Sequence, residues 1–169
     1  MAYYHRIFPG VAGTARGFRK AEGGYTLVEL LSVVAIIAIL AAISIPAYSA
    51  YISKVRIERT IEEIRTLQSE IALYLTDVDH LPDTLADIHR SDLKDPWGHP
   101  YEYLRIDGGG VKGKGKLRRD RFLNPLNTDY DLYSMGADGK SKTNLNAKES
   151  EDDIVRILGG NYIGLASKF

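Results

Sequence analysis

Glu29 is the residue whose position in this sequence raises the clearest chemical question. It precedes an apolar segment, residues 30–47, of eighteen residues without a charged side chain. A carboxylate carried to the centre of a bilayer costs about 2.5–3.5 kcal/mol on insertion scales. Two arrangements avoid that cost: either Glu29 lies among lipid headgroups, or a positive charge pairs with it in the low dielectric. The carboxylate alone leaves both arrangements open, and both are electrostatic rather than catalytic.

The rest of the chain offers little support for catalysis or redox chemistry. The sequence has no cysteine, which excludes disulfides, thiolate nucleophiles and cysteine zinc sites. Its four histidines form no HExxH or other close pair, and no GxSxG, P-loop or dinucleotide-binding motif occurs. Basic and acidic residues number 22 each, so no net charge favours a polyanionic partner. We therefore expect a protein that is not an enzyme.

The apolar segment is long enough to cross a bilayer as a helix that rises about 1.5 Å per residue. It exceeds the roughly 7–15 apolar residues of an ordinary secretory signal. Residues 1–24 before it carry four basic residues and one acidic residue, a net charge of +3. The positive-inside tendency then predicts a single pass, with the N-terminus in the cytoplasm and the bulk of the chain across the membrane.

Beyond the apolar segment, the sequence predicts an α+β fold. Apolar residues continue at helical spacing, interrupted once by Gln68, until Pro82 ends the run. Short alternating segments then follow among glycine-rich turns, and the strand candidates are residues 101–106, 121–123 and 130–135. We expect a long N-terminal helix, membrane-spanning in its first half and amphipathic in its second, that packs on a small antiparallel sheet.

The N-terminal motif resembles that of a known family. Residues 23–30 read GGYTLVEL behind the basic leader, which resembles the class III signal of type IV pilins and type II secretion pseudopilins. In that family a membrane peptidase cuts after the glycine and methylates the new amine. The resemblance implies cleavage between Gly24 and Tyr25 and N-methylation of Tyr25. It also implies assembly roles for Glu29, which would meet an amine of its own or a neighbouring subunit, and for Pro46, which would bend the helix.

Two later segments narrow the resemblance to major pseudopilins. Residues 95–101, DPWGHPY, resemble the DPWG-x-PY segment of those subunits, and residues 130–139, YDLYSMGADG, resemble their YDLYSLGADG segment. Major pseudopilins carry a calcium-stabilised C-terminal loop, so the resemblance implies a Ca²⁺ site of carboxylate and carbonyl oxygens. An ordinary solvated acidic loop is the alternative. The implied ligands are the side chains of Asp138, Asp152 and Asp153 and the carbonyl oxygens of Met135 and Ser150.

The same resemblance implies a structural subunit of a periplasmic pseudopilus that drives protein export through a type II or related secretion system. Its parts would be a prepilin leader (1–24), a transmembrane and assembly helix (25–48) and a periplasmic pilin-like head (49–169). It would stand in the bacterial inner membrane and later be extracted into the filament. The implied partners are other copies of the chain, a prepilin peptidase and methylase, minor pseudopilins, the inner-membrane assembly platform and the lipid bilayer. A type IV pilin of a surface filament and a single-span anchored periplasmic binding module are the alternatives.

A basic cluster of six Lys and Arg residues lies within residues 112–121, opposed there only by Asp120. Such a cluster could bind a phosphate backbone. It lacks interleaved aromatic residues on which bases would stack. We therefore expect a solvated insertion or a subunit contact, and no nucleic-acid partner.

Overall fold

The computed structural model describes residues 23–108 and 114–169. Residues 1–22 of the predicted leader lie outside the described residues, and so do residues 109–113, which include the first two positions of the basic cluster. Contacts divide the chain into two units, Met1–Ile43 and Ser44–Phe169. The described part contains one α-helix and four β-strands: α1 (Leu27–Val78), β1 (Glu102–Arg105), β2 (Tyr130–Ser134), β3 (Ile154–Ile157) and β4 (Tyr162–Leu165).

Helix α1 accounts for the predicted membrane segment and the amphipathic segment after it. It runs for 52 residues and continues through Pro46. Its most apolar window of 18 residues has a mean hydropathy of 2.7, so α1 is long and apolar enough to cross a membrane. After Val78 the backbone turns at Asp79, which has a φ of 61° and donates its N–H to the carbonyl oxygen of Leu75 at 2.9 Å.

The four strands form one antiparallel sheet in the order β1-β2-β3-β4. The second half of α1 covers one face of this sheet, which confirms the predicted helix-on-sheet arrangement. On that face Ile64, Leu67 and Ile71 of α1 are at most 1% exposed. They pack in one core cluster with strand residues that include Leu132 and Ile154.

The opposite face of the sheet has a smaller core of its own. Val155 and Ile157 point away from α1 and pack with Leu126, Leu145 and Ala166. Strand β3 is therefore buried on both faces, and all four of its residues are buried. The segments before and after β2 thus fold over the sheet rather than extend into solvent.

Two strand predictions need correction. Residues 121–123 form no strand: Phe122 is 90% exposed and the chain turns there. Strands β3 and β4 were not among the predicted strands, and they supply half of the sheet. The predictions for residues 101–106 and 130–135 are confirmed within one residue at each end by β1 and β2.

Candidate functional sites

The predicted cleavage and assembly residues lie at the start of α1. The carboxylate Oε2 of Glu29 accepts hydrogen bonds from the backbone N–H of Thr26 at 2.8 Å and from its hydroxyl at 2.7 Å. The N–H of Glu29 donates in return to the Thr26 hydroxyl at 3.2 Å. This reciprocal pair is a capping box, which satisfies backbone donors that a helix start leaves free. Glu29 therefore helps to begin the helix two residues after Tyr25.

The capping role of Glu29 was not predicted, although Thr26 and Glu29 stand at the spacing of a capping box in the sequence. Tyr25 is exposed, and none of the described residues lies within 4 Å of where a side chain on Gly24 would begin. Pro46 lies inside α1 and is likewise exposed. Accessibility at Gly24 and Tyr25 suits a site that a peptidase must reach.

The two segments that resemble major pseudopilins contact each other in the head. Asp95 is buried, and its Oδ1 accepts hydrogen bonds from the backbone N–H groups of Trp97 and His99 at 3.0 and 2.9 Å. Its Oδ2 accepts one from the hydroxyl of Ser134 at 2.6 Å. His99 Nδ1 lies 3.1 Å from the carbonyl oxygen of Gly136. These contacts join residues 95–99 to the end of β2 and to the turn that follows it.

That turn, residues 136–139, is held in place by Asp152. The Oδ2 of Asp152 accepts hydrogen bonds from the N–H groups of Ala137 at 2.7 Å and Asp138 at 3.0 Å. Gly136 has a φ of 65°, and a Cβ there would lie 2.3 Å from the carbonyl oxygen of Asp152. The close approach requires glycine at this position because any side chain would collide with the backbone opposite.

Asp153, the next residue, faces the interior and is paired with an arginine. Its Oδ2 lies 2.5 Å from Nη2 of Arg118 and accepts a hydrogen bond from the hydroxyl of Ser141 at 2.6 Å. Arg118 Nη1 donates to the same hydroxyl at 2.8 Å. Burial raises the pKa of Asp153, and the positive charge of Arg118 opposes that shift.

The remaining predicted ligands also have partners in the loop. Asp138 Oδ1 accepts a hydrogen bond from the N–H of Lys140 at 2.8 Å. The hydroxyl of Ser150 accepts one from the N–H of Lys142 at 2.9 Å and donates to its carbonyl oxygen at 3.0 Å. Met135 is half-buried at the end of β2.

The described residues do not fit a calcium site as they stand. Across residues 23–108 and 114–169, no group of three or more Asp, Glu or His side chains is gathered closely enough to hold a metal ion. Of the three predicted carboxylates, Asp152 binds backbone amides and Asp153 binds Arg118. Calcium binding itself is not tested by these contacts, so the calcium site stays a prediction.

Two arginines, Arg118 and Arg156, are buried in the head, and their burial was not predicted from the sequence. Arg118 was predicted to lie in a solvated basic cluster, but it is 4% exposed and stacks on the ring of Tyr133 at 3.9 Å. Arg156 of β3 donates to both carboxylate oxygens of Asp129, at 2.6 and 3.0 Å, and to Gln68 at 3.1 Å. The contact with Arg156 explains why Gln68 interrupts the apolar stripe of α1. Nothing in the sequence separates Arg118 from its exposed neighbours.

The methylation motif and the fold indicate the class of proteins that this chain resembles. Residues 19–45 match the family described as the prokaryotic N-terminal methylation motif. That motif leads into α1, and α1 packs on a small antiparallel sheet, which is a pilin-like arrangement. A motif of this kind with a single apolar helix indicates a membrane-anchored protein.

Within that class the chain is similar to a secretion-system subunit. It is 27% identical over 143 residues to "Type II secretion system core protein G" of Pseudomonas aeruginosa, and the match covers 72% of this chain and 88% of that protein. No solved structure matches the chain significantly. The motif and this relative confirm the predicted resemblance to major pseudopilins.

Proposed function

We propose that this protein is the structural subunit of a periplasmic pseudopilus that drives protein export through a type II or related secretion system. The observation that carries the proposal is the methylation motif at residues 19–45, in a chain that resembles core protein G over 88% of that protein's length. In this proposal the chain enters the inner membrane with its N-terminus in the cytoplasm. A prepilin peptidase removes residues 1–24 and methylates Tyr25, after which the head, residues 49–169, stands in the periplasm.

The apolar surface of α1 supports a role in which the helix leaves the lipid and packs against the helices of other copies. Leu, Ile and Val side chains between Leu27 and Ile45 are 53–72% exposed in the single chain. Leaving one such side chain in water would cost about 1.5–3 kcal/mol, so this surface needs an apolar cover. Lipid covers this surface before assembly, and the helices of other copies cover it in the filament.

Glu29 supplies the register between subunits in this proposal. One of its carboxylate oxygens caps α1 through Thr26. An ionised carboxylate can accept these hydrogen bonds, and cleavage would create a positive amine at Tyr25. In a low dielectric that amine and a carboxylate of the same or the next copy attract strongly. Pairing of this kind selects one axial position between subunits more than it adds net stability.

A pseudopilus is preferred to a surface filament because of the head. Type IV pilins usually close their C-terminal region with a disulfide, and this chain has no cysteine. Its role is structural, so the energy for filament growth has to come from the assembly platform. The other partners in the proposal are minor pseudopilins and further copies of the chain.

The test separates the charge of Glu29 from its capping role. Glu29→Gln keeps an oxygen that can accept from Thr26 but removes the charge. The matched control, Thr26→Val, keeps the charge and removes the hydroxyl part of the cap, at a cost of about 1 kcal/mol. Both variants replace the chromosomal copy, and the measurements are export of a secreted protein and recovery of sheared filaments.

We expect Glu29→Gln to insert in the membrane yet yield few filaments and little export, and Thr26→Val to retain both. Wild-type filament levels with Glu29→Gln would refute the charge-pairing role. Normal export in a strain that lacks the whole chain would refute the proposed function itself.

A further inference from the structure

The C-terminal loop, residues 136–153, is tied to the rest of the head by a buried organic cation. Arg118 is 4% exposed and Asp153 is 0% exposed. The guanidinium of Arg118 donates to the carboxylate of Asp153 at one end of the loop and to the hydroxyl of Ser141 near the other end. A buried carboxylate without a partner would cost several kcal/mol, so Asp153 needs a cation at this position.

Several contacts hold Arg118 where it can serve as that cation. Its N–H donates to Asp131 Oδ2 at 3.2 Å, and its carbonyl oxygen accepts from Leu126 at 2.9 Å. Its guanidinium carbon lies 3.9 Å from the centre of the Tyr133 ring. A planar guanidinium can stack on an aromatic ring while it donates in its own plane, which a metal ion cannot do.

The next residue ties the same segment to the loop through the backbone. Arg119 donates its N–H to the carbonyl oxygen of Thr143 at 2.8 Å and accepts from the N–H of Leu145 at 3.0 Å. The segment that carries Arg118 is therefore bound to the loop on two sides, by backbone at Arg119 and by side chain at Asp153. Loop and cation belong to one packed unit.

The position beside Arg118 and Asp153 does not suit calcium, which takes six to eight oxygen ligands. Of the Arg118–Asp153 pair, only Asp153 Oδ1 is a buried acceptor without a hydrogen-bond partner among the described residues. A divalent cation at that oxygen would stand within a few ångströms of the guanidinium, and like charges repel strongly at such distances.

We propose that the guanidinium of Arg118 takes, in this chain, the structural place of a calcium ion, so that the C-terminal loop folds and stays folded without calcium. This inference concerns how the head is held together, and it stands whether or not the chain forms a pseudopilus.

The experiment uses the full chain in detergent micelles and follows thermal unfolding by circular dichroism. Three conditions are compared: buffer alone, millimolar calcium chloride and a calcium chelator. The variants are Arg118→Met, which removes the guanidinium, and Arg119→Met, which removes the exposed neighbouring guanidinium as the matched control.

We expect the wild-type melting temperature to be the same in all three conditions. Arg118→Met should lower it by roughly 6–20 °C, because one partner of a buried pair is lost in a domain of this size. Arg119→Met should change it by no more than about 2 °C. Adding Asp153→Asn to Arg118→Met should recover part of the loss, since no buried charge is then left without its partner.

A wild-type melting temperature that rises with calcium and falls with the chelator would overturn the proposal. Equal losses for Arg118→Met and Arg119→Met would overturn it as well. Should Arg118→Met fail to fold, calorimetric titration of the wild-type chain with calcium decides the question: heat of binding at a single site refutes the proposal, and its absence supports it.

Discussion

Replacing Gly136 by alanine should destabilise the head strongly, for two reasons that the structure separates. The first reason is backbone strain, because a φ of 65° costs a residue with a Cβ about 1–2 kcal/mol. The second is collision, because the new Cβ would lie 2.3 Å from the carbonyl oxygen of Asp152. To relieve it, the backbone at Asp152 has to move by about an ångström, since ordinary contacts begin near 3.5 Å.

That movement breaks the two hydrogen bonds from Ala137 and Asp138 to the carboxylate of Asp152, which are 2.7 and 3.0 Å long. Both bonds lie near the surface, so each contributes about 1 kcal/mol. Strain and lost hydrogen bonds together lower the free energy of unfolding by about 3–4 kcal/mol. In a chain of this length, that corresponds to a fall in melting temperature of roughly 6–16 °C.

Gly159 provides the matched control. Its φ is 66°, almost the same as that of Gly136, and no atom of residues 23–108 and 114–169 lies within 4 Å of where its Cβ would be. Gly159→Ala should therefore show the strain alone, about 1–2 kcal/mol. The measurements are thermal unfolding of the full chain in detergent and amide hydrogen exchange at Ala137 and Asp138. Equal losses for the two alanine variants, with unchanged exchange at those amides, would refute the packing of Asp152 against this turn.

Three further predictions address other parts of the chain. Arg156→Met should lower the free energy of unfolding by about 1–3 kcal/mol in a denaturant titration, because Asp129 loses a two-point partner but keeps access to water. Burial raises the pKa of Tyr130 to about 12, so the folded chain holds this proton more tightly than the unfolded chain. The contribution of Tyr130 to stability should be constant below about pH 10 and should be lost, up to about 3 kcal/mol, between pH 10 and 12, so that stability falls less steeply in Tyr130→Phe. Gly24→Leu should leave an uncleaved precursor, and an intact mass that shows Tyr25 as the first residue of such a variant would contradict the predicted site.

The helix was predictable because its signals are local. A charge-free run and an apolar period of three to four residues can both be recognised from neighbouring residues in the chain. Pro82, which ends the apolar run, lies four residues beyond Val78, the last residue of the helix. Strands β1 and β2 were predictable from alternation. Strand β3 was not, because a strand buried on both faces has no alternation, and Arg156 within it resembles a surface residue until Asp129 is brought beside it.

The candidate sites also differ in whether their residues are close together in the sequence. Thr26 and Glu29 stand three residues apart, so their capping box could have been read from the sequence. Arg118 and Asp153 are separated by 35 positions, and only the fold brings them together. Arg118 is buried while its neighbours in the basic cluster are exposed, because the backbone of Arg119 pairs with residues 143–145. The local composition of the cluster does not predict this pairing.

The two segments that carried the resemblance to major pseudopilins prove to be one structural feature. Asp95 binds Ser134, His99 lies against Gly136, and a Cβ on Gly139 would lie 2.6 Å from the His99 ring. The similarity of these two segments therefore indicates how the turn after β2 is supported. It does not indicate which group neutralises the buried carboxylate of Asp153 in the loop beyond that turn. The neutralising group here comes from Arg118, which lies outside both segments. Chains that share these segments can thus differ in how the loop is held, and the partner of the buried aspartate that corresponds to Asp153 is where that difference should be sought.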